Sequence, residues 1–140
     1  MEFIWDVFFK GLVIGIIHYI ILGVLYMNPF VEKVYNDAQE KYPSVKMRNS
    51  TSGYLSKQFF GTQIEIWIIS AGFLYLKDFL PFQPIETALI LGLIFAGIRI
   101  YERWWNMYIQ TTYPGNLLAI EFINGTIGTF IITIGLSYIP

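Results

Sequence analysis

The chain of 140 residues contains no cysteine and a single histidine. Without cysteine there are no disulfides, thiolate metal sites, iron–sulfur ligands or cysteine nucleophiles, and the usual clue to redox compartment is silent. Charge is scarce as well, at 14% of residues, and it is balanced: Lys and Arg number 9 against 10 Asp and Glu. No basic excess exists to neutralise phosphates, so nucleic acid is not an expected partner. Nucleophilic triads, phosphate-binding glycine loops, dinucleotide fingerprints and His-x-x-x-His zinc spacing are missing too. What is present in excess is apolar surface, 55% hydrophobic residues with a mean hydropathy of +0.52. A short chain buries a limited share of its surface, so this excess points to lipid as the solvent.

Four apolar stretches carry the excess, and the expected fold class is an all-α membrane protein with one integral-membrane domain over residues 1–140. The spacing predicts transmembrane helices over about 3–27, 59–76, 85–104 and 117–139. Each comes near the roughly 20 residues needed to cross a hydrocarbon core, inside which backbone polar groups must pair within a helix. The first stretch begins Met1-Glu2 and ends Tyr26-Met27-Asn28-Pro29, without the basic start or small-x-small site of a signal peptide, and is expected to stay in the mature protein.

Between the first two helices, Phe30, Val31, Val34, Tyr35, Ala38 and Tyr42 recur at helical spacing opposite Glu32, Lys33, Asp37, Glu40 and Lys41 until Pro43. A short amphipathic helix over about 30–42 is expected in the membrane interface, a solvated loop helix being the alternative. Lys33, Lys41, Lys46, Arg48 and Lys57 crowd this loop, and Arg99 and Arg103 flank the third connection, which leaves Lys10 and Lys77 for the other face. The positive-inside rule then predicts a multi-pass protein of the cell membrane with loops 28–58 and 105–116 cytoplasmic and both termini outside. The sequon Asn49-Ser50-Thr51 would be unused there.

Lipid gives helices no hydrophobic reason to associate, so they meet through small residues and polar groups. Such faces are legible in Gly11, Gly15 and His18 of the first helix and in Gly61, Glu65 and Gly72 of the second. They continue in Gly92, Ala96 and Arg99 of the third, and in Glu121, Asn124, Gly125 and Gly128 of the fourth. Counting 1.5 Å per residue from the basic ends puts His18, Glu65, Arg99 and Glu121 roughly 6–15 Å deep, all in the cytoplasmic half. Insertion costs of at least about 2.5–3.5 kcal/mol per charge predict that they pair or line a wet cavity, with Arg99 taking Glu65 or Glu121. His18, Glu65, Arg99, Glu121 and Asn124 are therefore the candidate site, either a network that fixes helix register or a site for a ligand or proton. The Glu-x-x-His pairs of bundle metal sites are missing, so neither metal nor cofactor is expected.

The end of the first helix, Gly23-Val24-Leu25-Tyr26-Met27-Asn28-Pro29-Phe30 followed by Lys33 and Tyr35, resembles the Gly-x-x-Trp/Tyr-x-x-Pro segment of a prokaryotic family of small four-helix membrane proteins of unknown function. Tyr101-Glu102-Arg103 is similar to that family's aromatic-Glu-Arg step, and Ile123-Asn124-Gly125 with Gly128 to its glycine-rich last helix, while Tyr26 and Glu121 depart from its pattern. The resemblance implies fold and membrane location and carries no activity. Three functions are consistent with the sequence. An accessory or self-associating membrane subunit, with lipid, its own copies or other membrane subunits as partners, comes first. A carrier of a small ligand, lipid or proton comes second, and a membrane enzyme acting on a lipid or quinone near Trp104 and Trp105 third.

Overall fold

The structure, a computed structural model, describes residues 1–46 and 51–140. Arg48 and the first two sequon residues, Asn49 and Ser50, lie outside the described residues. Among those described there is no strand: the elements are α1 (Glu2–Tyr26), α2 (Pro29–Lys41), α3 (Thr51–Leu76) with a 3-10 turn Lys77–Phe79 after it, α4 (Pro84–Ala96), a π-helical segment Gly97–Tyr101, α5 (Glu102–Gln110) and α6 (Gly115–Tyr138). Four helices are long and apolar enough to cross a membrane, Glu2–Tyr26, Gly53–Phe79, Pro84–Gln110 and Gly115–Tyr138. Within their most apolar windows the buried share runs from only 22% in α1 to 39% in α6. Ile4, Phe9, Ile20, Ile64, Ile68, Leu93 and Ile98 point outward instead. So continuous an apolar exterior suits lipid and would aggregate in water.

Local chemistry sets the helix starts. The Asn28 Oδ1 accepts the Phe30 N–H at 2.9 Å and Pro29 occupies the first helical position of α2, where a missing N–H costs nothing. Pro84 does the same for α4, and the Gln83 N–H donates to Glu86 Oε2 at 3.3 Å. Two boundaries differ from those the apolar pattern predicts. The second long helix begins at Thr51 rather than near 59, and the third continues to Gln110 rather than ending near 104. Hydropathy marks where lipid ends, whereas the i to i−4 hydrogen-bond ladder continues into water wherever no proline interrupts it.

α6 lies at the centre and touches every other α-helix. Phe73, Ile14, Ile66, Leu91, Ile132 and Leu136 form the main core around it. α2 packs on its start, with Ala38 and Val45 against Leu117 and Val34, Tyr35 and Ile120 beside them. The apolar face expected to lie in lipid is therefore largely covered by protein, although Phe30 is 70% exposed. Side chains on α3 bond carbonyls of α1: Gln63 Nε2 donates to Gly11 O at 3.1 Å and Trp67 Nε1 to Phe8 O at 3.2 Å.

Small residues let these backbones close up. A Cβ on Gly92 would stand 2.7 Å from the Phe130 ring and 2.8 Å from Thr133 Oγ1, and one on Gly128 would stand 2.7 Å from His18 Nε2. Gly11 receives Trp67, Gly15 receives Gln63, Gly72 receives Phe95 and Gly125 receives Ile100, while Ala96 is buried. Gly61 differs from the rest of the expected packing set, since among the described residues nothing lies within 4 Å of where its Cβ would be. Its stripe on α3 turns outward at that point. Gly135, absent from the expected set, receives Ile14.

Gly92→Leu should accordingly lower stability by at least about 1–3 kcal/mol through overpacking of α4 on α6. Gly23→Leu, where a side chain meets open space, should stay within about 0.5 kcal/mol of the parent. Thermal unfolding of both variants in the same detergent decides this, and equal melting temperatures would remove the close-approach argument.

Candidate functional site

The π-helical segment Gly97–Tyr101 carries Arg99. A π turn inserts one residue into the helix and swings the later side chains by about 100° relative to the preceding stripe. Arg99 faces α3 there and meets Glu65 through two parallel bonds, Nε to Oε1 and Nη2 to Oε2, the second at 2.7 Å. Its remaining terminal nitrogen, Nη1, donates to Thr129 Oγ1 at 3.0 Å, and the Thr129 hydroxyl donates to Gly125 O at 2.9 Å. One guanidinium thus ties α3, the π turn and α6. Two-point pairing of this kind is the strongest form of carboxylate recognition and fixes angle as well as distance.

Glu65 and Arg99 sit close to the middle of the helices Gly53–Phe79 and Pro84–Gln110. The pair is unevenly covered. The Arg99 side chain is 16% exposed and the Glu65 side chain 42%.

His18 completes this layer from α1. It is buried beside Gly128, with Arg99 and Glu65 as its charged neighbours, and neither ring nitrogen has a hydrogen-bond partner among the described residues. Three more buried polar atoms along the seam of α1, α3 and α6 are unpaired among the described residues: Ser70 Oγ, Gln63 Oε1 and Asn124 Nδ2. Asn124 faces Tyr26 across the seam without closing a hydrogen bond through that nitrogen. Unsatisfied buried polar atoms are uncommon in folded proteins, and each asks for water, a proton or a ligand.

Glu121 stands apart from this layer. Its Oε1 accepts the Tyr113 hydroxyl at 2.7 Å and the Tyr35 hydroxyl at 3.2 Å, and its Oε2 lies 4.0 Å from Arg103 Nη2. Burial, followed by the neighbouring Glu121 carboxylate, pushes the Tyr35 hydroxyl well above its ordinary value. Burial and the hydrogen bond to Glu121 do the same to Tyr113. Both remain protonated donors across the physiological range.

The five residues grouped by the sequence therefore divide in two. Arg99, Glu65 and His18 share one layer, whereas Glu121 belongs to a second cluster with Tyr35, Tyr113 and Arg103, and Asn124 lies between. Glu121 and Thr129 are two turns apart on α6, about 12 Å, and one guanidinium cannot serve both. Thr129 and Tyr113 are not among the candidate site residues of the sequence, and Tyr35 is legible there only on the apolar stripe of the amphipathic helix and in the motif after Pro29. A hydroxyl on α6 reads as generic packing, and the tyrosines come from α2 and a turn, outside the four long helices that frame the site. Among the described residues, no three His, Asp or Glu groups stand together as a metal site.

No family model, no curated protein and no solved structure matches the chain.

Arg99→Gln alone leaves Glu65 charged and unpaired. It should cost up to about 3 kcal/mol, at or below the ~3–5 kcal/mol range for a fully buried pair because Glu65 is partly open. Combining it with Glu65→Gln should restore most of that loss. Melting temperatures of the two single variants and the double variant form the cycle, and strictly additive losses would show that the pair contributes nothing specific.

Proposed function

We propose that this chain is an accessory subunit of a membrane assembly, joined to copies of itself or to other membrane subunits through the outward face of α3. The observation that carries this reading is the openness of Glu65. A carboxylate midway along a membrane helix with 42% of its side chain exposed is poorly served by lipid, where a charge costs at least about 2.5–3.5 kcal/mol. A donor from a neighbouring helix would fill its remaining lone pairs. Gly61, one turn away on the same face, has open space above it, and Ile64 and Ile68 beside it are exposed. A small residue next to a polar group on an exposed stripe is what helix interfaces in lipid use. The closed Arg99 fork and the lack of catalytic motifs favour association over chemistry.

The orientation belongs to the same proposal. Lys33, Lys41, Lys46, Lys57 and Arg103 gather at the α2 end, against Lys10 and Lys77 at the other, which supports an α2 end facing the cytoplasm with both termini outside.

Purified in mild detergent, the protein should run as an oligomer or with a co-purifying chain by native mass spectrometry. Gly61→Leu, which meets no neighbour within the protomer, should convert it to a well-folded monomer. A wild-type chain that is monomeric and alone would remove this reading.

A second reading, a proton-handling carrier, is favoured by the unpaired polar atoms of His18, Gln63, Ser70 and Asn124 along one seam. Reconstituted in vesicles with a trapped pH dye, the wild-type protein should then equilibrate a pH step faster than empty vesicles, and His18→Asn should slow it. Rates equal to those of empty vesicles would exclude it.

A further inference from the structure

Below the ion-pair layer, at the α2 end, a groove opens between α5 and α6. Its apolar lining comes from Ile100, Met107, Leu118 and Phe122, with Arg103, Trp104 and Glu121 completing it. Arg103 is not consumed by the fold. Its side chain is 71% exposed, and its ion pair among the described residues is a loose contact of 4.0 Å to Glu121 Oε2. The other oxygen of Glu121 already accepts two tyrosine hydroxyls, which hold the carboxylate back against α2 and the turn before α6. The guanidinium therefore keeps donors to spare at the mouth of the groove.

The surroundings restrict what those donors serve. Trp104 stacks on Tyr108 with ring centroids 5.8 Å apart and packs on Phe122 at 5.3 Å, and Tyr101 stacks on Trp105 at 6.5 Å. Such a shelf of amphipathic rings belongs at the head-group level of a bilayer. The cavity volume is only about 40 Å³, against the roughly 300–1,000 Å³ of a site that encloses a small molecule or cofactor. An occupant must therefore leave most of itself outside while placing one compact group beside Arg103. A planar fork of N–H donors suits a phosphate, and an apolar lining suits the start of an acyl chain. We propose that this groove binds the phosphate of a membrane phospholipid through Arg103, with the chains running along Ile100, Met107 and Phe122. The like charge of Glu121 is the opposing influence, and its two tyrosine donors offset it. This site is independent of the α3 face invoked above.

The test is native mass spectrometry of the full chain in detergent, titrated with phosphatidylglycerol, with diacylglycerol of the same chains, and with soluble glycerol 3-phosphate. Phosphatidylglycerol should bind at least about tenfold more tightly than diacylglycerol, a difference of one good charge-assisted contact, and at least about tenfold more tightly than glycerol 3-phosphate, which lacks the chains. Arg103→Gln should erase that preference, and Lys33→Gln, which removes an exposed charge on α2, should preserve it. Three results overturn the proposal: diacylglycerol binding as well as phosphatidylglycerol, glycerol 3-phosphate binding as well as the lipid, or Lys33→Gln weakening binding as much as Arg103→Gln. The comparison of ligands on the wild-type chain needs no variant to fold.

Discussion

An arginine placed midway along a membrane helix has to be answered by the protein, and much of this bundle is arranged around that demand. Arg99 cannot deprotonate, and lipid supplies no acceptors. Its fork is filled from two sides, by both oxygens of Glu65 on α3 and by Thr129 on α6. The α3 and α4 backbones make little direct contact, so this bridge, with Phe95 over Gly72, is a large part of what holds them in register. Arg99 stands on the π-helical segment Gly97–Tyr101, from which it reaches both α3 and α6.

Around that bridge the bundle is thin. α6 packs against all the other α-helices through glycine, alanine and threonine positions, and the outer half of each long helix is left to lipid. Van der Waals contact between close backbones, rather than release of water, has to hold such an assembly together. That is why a bulky group at Gly92 or Gly128 is more disruptive than one at Gly23 or Gly61. The same economy leaves Glu65 open on one side, and that open carboxylate is the feature on which the proposed association rests.

The second polar cluster obeys different physics. Glu121 lies near the start of α6, where tyrosines from α2 and from the turn before α6 can reach it. Their hydroxyls, kept protonated by burial and by the carboxylate itself, dock α2 onto the bundle. α2 thereby gains a fixed seat, and Arg103 is left at the rim beside an aromatic shelf.

By itself the sequence determined the solvent, the number of spanning helices and most of the small-residue contacts, because these arise from hydropathy and from 3.6-residue spacing along single helices. It also showed that Arg99 needs a carboxylate. Only the tertiary structure decided which one: Arg99 meets Glu65 on α3, while the axial offset along α6 puts Glu121 in a separate cluster, and neither leaves a mark in local pattern. The same holds for Gly61, whose stripe is continuous with Gly72 in sequence but faces outward in the fold. Tyr35 and Tyr113 came to Glu121 from two separate segments, since a polar contact across the bundle is set by how helices pack and no periodicity within one helix encodes it.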